Sequence, residues 1–237
     1  MFQPLAFVGT LPPMKRIFFF VNGIRTWPGD DRNWTGRAVT ATHTRTEHKA
    51  EKVEYVSLAL LRPLAQARRA RKLVRVQSFY NGWERILVVH SNGADVVLDA
   101  LEKQPFGIHH LILISPAVPA KEASEQLRRL MEAKLIHTCE IWVGKKDFPL
   151  HMASWFVVAR LLGYGTLGLS GPLIGNWDPA TLSRLSVRTV PKFGHSDWFA
   201  DEHFDETMGR IWQAGPTKES VVTTAETETV QNVSPSA

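Results

Sequence analysis

Short apolar blocks recur along this chain, separated by turn residues and by stretches with helical spacing. Residues 17–21, 86–89 and 108–114 are rich in Ile, Leu, Val and Phe and read as strands, and 138–143 and 187–190 read as two more. Residues 53–58 alternate, with Val53, Tyr55 and Ser57 on one side and Glu54, Val56 and Leu58 on the other, and read as a further strand. Between them lie predicted helices near 33–42, from Pro63 to about 72, over 94–101, over 121–136 and over 198–212. In 94–101 the buried face is Val97, Leu98 and Leu101. In 121–136 it is Leu127, Leu130, Met131 and Leu135, and in 198–212 it is Phe204, Met208, Ile211 and Trp212. Strands that alternate with helices predict an α/β fold with about six mostly parallel strands and helices on both faces.

The corners between these elements carry the candidate chemistry. Ser91 lies where the apolar block 86–89 turns abruptly into the helix 94–101, with Gly93 two places later. That layout is a nucleophile elbow: the tight turn lifts the hydroxyl off the sheet and sets it at a helix N-terminus, where free N–H groups can hold an oxyanion. A serine is a weak nucleophile without a base and an orienting acid. Asp147, after the strand 138–143, and His195, after the strand 187–190, both lie past strand ends, where active sites of open parallel sheets are found. Each residue also has a plain structural role open to it. Ser91 could cap a helix, Asp147 could be a turn aspartate, and His195 could cap the last helix from the surface. Asp178 is the rival acid, but it precedes Pro179 and is better placed as a helix cap. Asp197 is too close in sequence to His195 to orient it. His90 reads as a packed neighbour of the elbow. His109 and His110 have no metal-ligand spacing and read as surface or strand-edge residues.

Over residues 15–212 the chain resembles the α/β-hydrolase superfamily. Four stretches carry the resemblance, in the family's order. Phe18-Phe19-Phe20-Val21-Asn22-Gly23-Ile24 resembles the strand and loop that supply one oxyanion donor, with Asn22-Gly23 where the family often has His-Gly. His90-Ser91-Asn92-Gly93 resembles the elbow. Leu111 through Ala117 resembles the strand after the nucleophile helix. Gly144 to Asp147 and Gly194-His195 resemble the acid and histidine turns. One position departs: two before the serine the family prefers a small residue, and here it is Val89.

The resemblance implies a compact α/β-hydrolase fold without the family's two opening antiparallel strands. It implies Ser91 as nucleophile, His195 as base and Asp147 as orienting acid. The N–H of Asn92 and that of Ile24 would form the oxyanion hole, with Gly23 permitting close approach. The expected activity is that of a serine hydrolase, a carboxylesterase acting on a small-molecule ester or acyl substrate such as a thioester. An amidase or peptidase would use the same triad, and a non-catalytic binding protein could occupy the same scaffold. No metal or organic cofactor is implied, because the triad carries its own chemistry.

Bulk properties change this picture little. Among the 237 residues the net charge is +5, and part of it is local, in Arg62, Arg68, Arg69, Arg71, Lys72 and Arg75. No nucleic-acid motif accompanies that cluster, so it reads as a solvated helix face and no nucleic-acid partner is expected. The single cysteine, Cys139, excludes an internal disulfide and suits a reducing, cytoplasmic setting. Residues 1–14 form an N-terminal extension without a basic n-region, and the region 155–174 is broken by Arg160 and Pro172, so neither a signal peptide nor a membrane span is expected. The hydrolase domain is expected over 15–214, with 148–186 as a cap or insert, or as one packed helix and a long loop. Residues 215–237, without an aromatic side chain, are expected to be a disordered tail.

Overall fold

Apolar runs too long to alternate become strands buried on both faces. In the computed structural model, which describes residues 15–23, 33–53, 73, 79–80, 82–155 and 165–214, six strands form one sheet. They are β1 (Arg16–Val21), β2 (Lys49–Lys52), β3 (Glu84–His90), β4 (Ile108–Ile114), β5 (Ile136–Gly144) and β6 (Leu185–Val190). All pairs are parallel, in the order β2-β1-β3-β4-β5-β6. Ile17 through Val21 are fully buried, as parallel central strands require. The strand order reverses between β1 and β3, and a crevice at such a switch point is where open α/β sheets bind ligands.

Among the described residues the helices with full bounds are α1 (Trp34–Arg45), α2 (Gly93–Lys103), α3 (Ala120–Glu132), α4 (Phe148–Trp155), α5 (Leu167–Ser170), α6 (Pro179–Leu182) and α7 (Asp201–Gln213). They cover both faces. Phe18, Phe20, Ile86, Val88 and Ile112 pack with Ala38 and Ala41 of α1 and with Phe204, Met208 and Ile211 of α7. Phe19, Leu87, Leu111 and Ile141 pack with Val97, Leu98 and Leu101 of α2 and with Leu127, Leu130 and Met131 of α3. In α2 the pair Val96-Val97 costs up to about 0.7 kcal/mol per residue in helix propensity. Both side chains are buried, and burial worth about 1.5–3 kcal/mol each outweighs that cost.

Three elements differ from the sequence pattern. The strand expected at 53–58 already pairs with β1 from Lys49, and residues 54–58 lie outside the described residues. In β2 only Ala50 is buried, and backbone pairing at a sheet edge makes no demand for an apolar side-chain pattern. The helix expected over 121–136 stops at Glu132. Leu135 N–H donates to Leu130 O and Lys134 N–H to Met131 O, with Lys134 at φ 57°, which is a Schellman stop. A lysine rather than a glycine holds the left-handed position, so no glycine announces it, and Ile136 opens β5 instead. The last helix is split: a 3₁₀ turn, Asp197–Phe199, precedes α7, which starts beyond the extended Ala200. His110, expected at a surface or strand edge, is buried, and its Nδ1 is 2.6 Å from Thr138 Oγ1. The helix expected from Pro63 and the basic cluster fall outside the described residues, as do the segments 1–14 and 215–237.

Candidate active site

At the end of β3 the backbone turns through Ser91 at φ 56°, a left-handed conformation that costs a non-glycine residue about 1–3 kcal/mol. Its surroundings hold it there. Ser91 N–H donates to Ile114 O at 3.0 Å, and Ser91 O accepts from Ala117 N–H at 3.1 Å and from Ala94 N–H at 3.3 Å. Gly93 is needed at its place: a Cβ there would lie 2.8 Å from Asn22 O and 3.1 Å from Val89 Cγ1. Val89 therefore takes the room that Gly93 leaves, and a bulky residue two before the serine is accommodated. Gly23, at the end of β1, lies over the serine, where a Cβ would come within 2.8 Å of Ser91 Cβ and 3.0 Å of its Oγ.

Two loops from β5 and β6 meet above this turn. Asp147 is fully buried, and its Oδ1 accepts from Leu150 N–H at 3.1 Å, capping α4. Its Oδ2 is 2.7 Å from His195 Nδ1. A carboxylate only accepts, so Nδ1 carries the proton and Nε2 is free to accept from Ser91 Oγ–H, 2.8 Å away. The loops are clipped together by Lys146 N–H donating to Phe193 O at 3.1 Å, and a Cβ on Gly144 would come within 2.6 Å of the same oxygen. Asp197 accepts from Gly194 N–H at 2.8 Å. Asp178 lies apart and caps α6, accepting from Thr181 N–H at 2.9 Å.

Of the residues expected at an oxyanion hole, Asn92 has an N–H without an acceptor among the described residues, and it adjoins Ser91. Gly23 supplies close approach, while its N–H donates to Asn22 Oδ1 at 2.8 Å. Ile24 lies outside the described residues. Two further polar residues gain contacts that sequence patterns did not announce. Ser115, at φ 43°, accepts from Trp198 Nε1–H at 3.0 Å. His90 is buried with its Nε2 2.9 Å from His195 O. Burial, with the neighbouring His195 adding to it, pushes the His90 imidazole down to about 3, so that ring is neutral at ordinary pH.

No protein-family model matches this sequence, and no curated protein matches it. Solved structures do. An uncharacterized protein from Bacillus cereus ATCC 10987 is 14% identical with a TM-score of 0.54, over 90% of this chain and 63% of that one. The present chain thus spans less than two thirds of that protein. A "predicted CIB-like hydrolase" from Thermoplasma acidophilum is 13% identical with a TM-score of 0.50, over 86% of this chain and 90% of that one. With the parallel sheet and its switch point, these likenesses decide the architecture. The chain has the fold of the α/β-hydrolase superfamily.

The region 148–186 opens with α4, whose Phe148 is 69% exposed. A hollow of about 410 Å³ beside it is lined by Lys146, Phe148, His151 and Met152. Farther along, Leu167 N–H donates to Val118 O and Gly168 N–H to Pro116 O, so α5 packs onto the chain leaving β4. Residues 156–164 lie outside the described residues. Among the described residues, no group of three or more His, Cys, Asp or Glu side chains is arranged to hold a metal ion, and no helix is long and apolar enough to cross a membrane.

Proposed function

We propose that this protein is a serine hydrolase that cleaves carboxylic esters or thioesters through an acyl-enzyme intermediate. One observation carries the reading: the unbroken hydrogen-bonded chain from buried Asp147 through His195 to Ser91, at 2.7 and 2.8 Å. Ser91 Oγ attacks the carbonyl carbon as His195 Nε2 takes the hydroxyl proton. Asp147 keeps the proton on Nδ1 and stabilises the imidazolium that forms. The Asn92 N–H donates to the oxyanion of the tetrahedral intermediate. Collapse expels the alcohol or thiol, which leaves with the proton from Nε2. Water, deprotonated by the same nitrogen, then cleaves the acyl-serine.

A fluorophosphonate probe tests this directly. It should modify one residue, mapped to Ser91, and Ser91→Ala should prevent the reaction; a protein left unlabelled would sink the reading. Turnover of p-nitrophenyl acetate against p-nitroacetanilide then ranks ester against amide. A series of p-nitrophenyl esters of growing acyl length asks whether the hollow at Phe148 and Met152 receives the acyl chain.

A further inference from the structure

His195 sits on a loop that follows the edge strand β6, so its imidazole is only as well placed as that loop. Phe193 and Gly194 are tied by Lys146 N–H and by Asp197. The carbonyl of His195 accepts one hydrogen bond among the described residues, from His90 at 2.9 Å. His90 is the last residue of β3 and the immediate neighbour of Ser91. A carbonyl oxygen only accepts, so His90 Nε2 carries the proton. Its Nδ1 lies 3.4 Å from Asn22 Oδ1, which already accepts from Gly23 N–H at 2.8 Å and from Trp34 Nε1–H at 2.9 Å. The His90 ring is held edge-on by Trp34 and Phe199, which stack on each other at 4.0 Å. One packed unit therefore touches both the glycine over the serine and the backbone of the histidine.

We propose that His90 is a positioning residue: its Nε2–H bond to the His195 carbonyl sets the distance between the His195 imidazole and the Ser91 hydroxyl. The role rests on the serine-hydrolase reading above. It explains why a polar side chain is buried at a point where β3 presents Ile86 and Val88 to the same apolar layer. Without that bond the His195 backbone loses its own tie while its neighbours keep theirs, and a misplacement of about 1 Å costs on the order of a hundredfold in rate.

His90→Phe keeps a ring and removes the donor; His90→Gln offers an amide N–H in its place. With p-nitrophenyl acetate, H90F should lower kcat by about a hundredfold with KM within about twofold, and should slow fluorophosphonate inactivation by a similar factor. H90Q should recover about tenfold or more of the loss. A folded H90F with wild-type kcat overturns the proposal, as do H90F and H90Q variants that melt like wild type and lose rate equally. Nitrogen NMR of the histidine rings in the wild-type protein needs no variant. It should show His90 neutral with the proton on Nε2, and a proton on Nδ1 at neutral pH overturns the proposal. A wild type that takes no fluorophosphonate defeats the hydrolase reading. A labelled wild type beside an unimpaired H90F defeats only the positioning role.

Discussion

Ser91 and Ser115 directly follow neighbouring central strands, β3 and β4, at the same C-terminal end of the sheet. Both are buried, both have positive φ, at 56° and 43°, and each donates its N–H to the next strand along, Ser91 to Ile114 O and Ser115 to Trp142 O. Their hydroxyls meet different partners. Ser91 Oγ faces an imidazole that can take its proton, and Ser115 Oγ accepts an indole N–H that has no use for one. The aspartates repeat the lesson. Asp147 and Asp178 each cap a helix by the same side-chain bond to the N–H three residues on, yet only Asp147 has its second oxygen on a histidine. A strained serine or a capping aspartate is thus a local solution to a turn. Its chemistry depends on what a distant loop brings to its free side.

Substitution at the paired positions should separate the members of each pair. Ser91→Ala should lower esterase turnover by about 10⁴-fold or more. Ser115→Ala should leave fluorophosphonate labelling intact and cost stability, about 1–3 kcal/mol in a urea melt, because Trp198 Nε1–H loses its acceptor. Loss of labelling in folded Ser115→Ala would break the contrast. Asp147→Asn should lower kcat by about 10³–10⁴-fold by favouring the wrong tautomer of His195. Asp178→Asn should leave kcat unchanged, and equal losses in the two would mean that the acid has been misassigned.

Smaller effects sharpen the picture. Gly23→Ala puts a methyl group within 3.0 Å of Ser91 Oγ and should lower kcat by about a hundredfold. Gly209→Ala, in α7 where a Cβ meets nothing within 4 Å, should keep activity and raise stability by about 0.5–1 kcal/mol. The last prediction concerns acid. Burial depresses the folded-state pKa of His90 from 6.5 to about 3. The unfolded chain binds the extra proton below pH 6.5, so stability falls as pH drops from 6.5 toward 3. Between pH 6.5 and 5 this one group should account for about 1.6 kcal/mol, and urea melts of H90Q should lose that much less over the same interval.

Much of the fold was legible because its signals are local. Apolar runs marked β1, β3, β4 and β5, and amphipathic spacing marked α2, α3 and α7, since burial on one face or two is written in residues a few places apart. The Schellman stop at Lys134 and the early start of β2 were not, because a left-handed lysine and a polar edge strand obey backbone hydrogen bonding that leaves no trace in side-chain pattern. At the candidate site, Ser91 stood out by its turn and its Gly93, and Asp147 and His195 by their places after strands. The contact from His90 to the His195 backbone joins residues 105 apart and had no local signature.

The amino-acid order alone determined where strands end, where the chain must turn, and which polar side chains stand at those turns. Only the folded sheet decided which of them meet. Ser91 and His195 are 104 positions apart, and His195 and Asp147 are 48 apart. Loops leaving three parallel strands are brought to one edge by the ladder and by the two apolar layers beneath it, and their convergence is a property of that packing rather than of any stretch of chain.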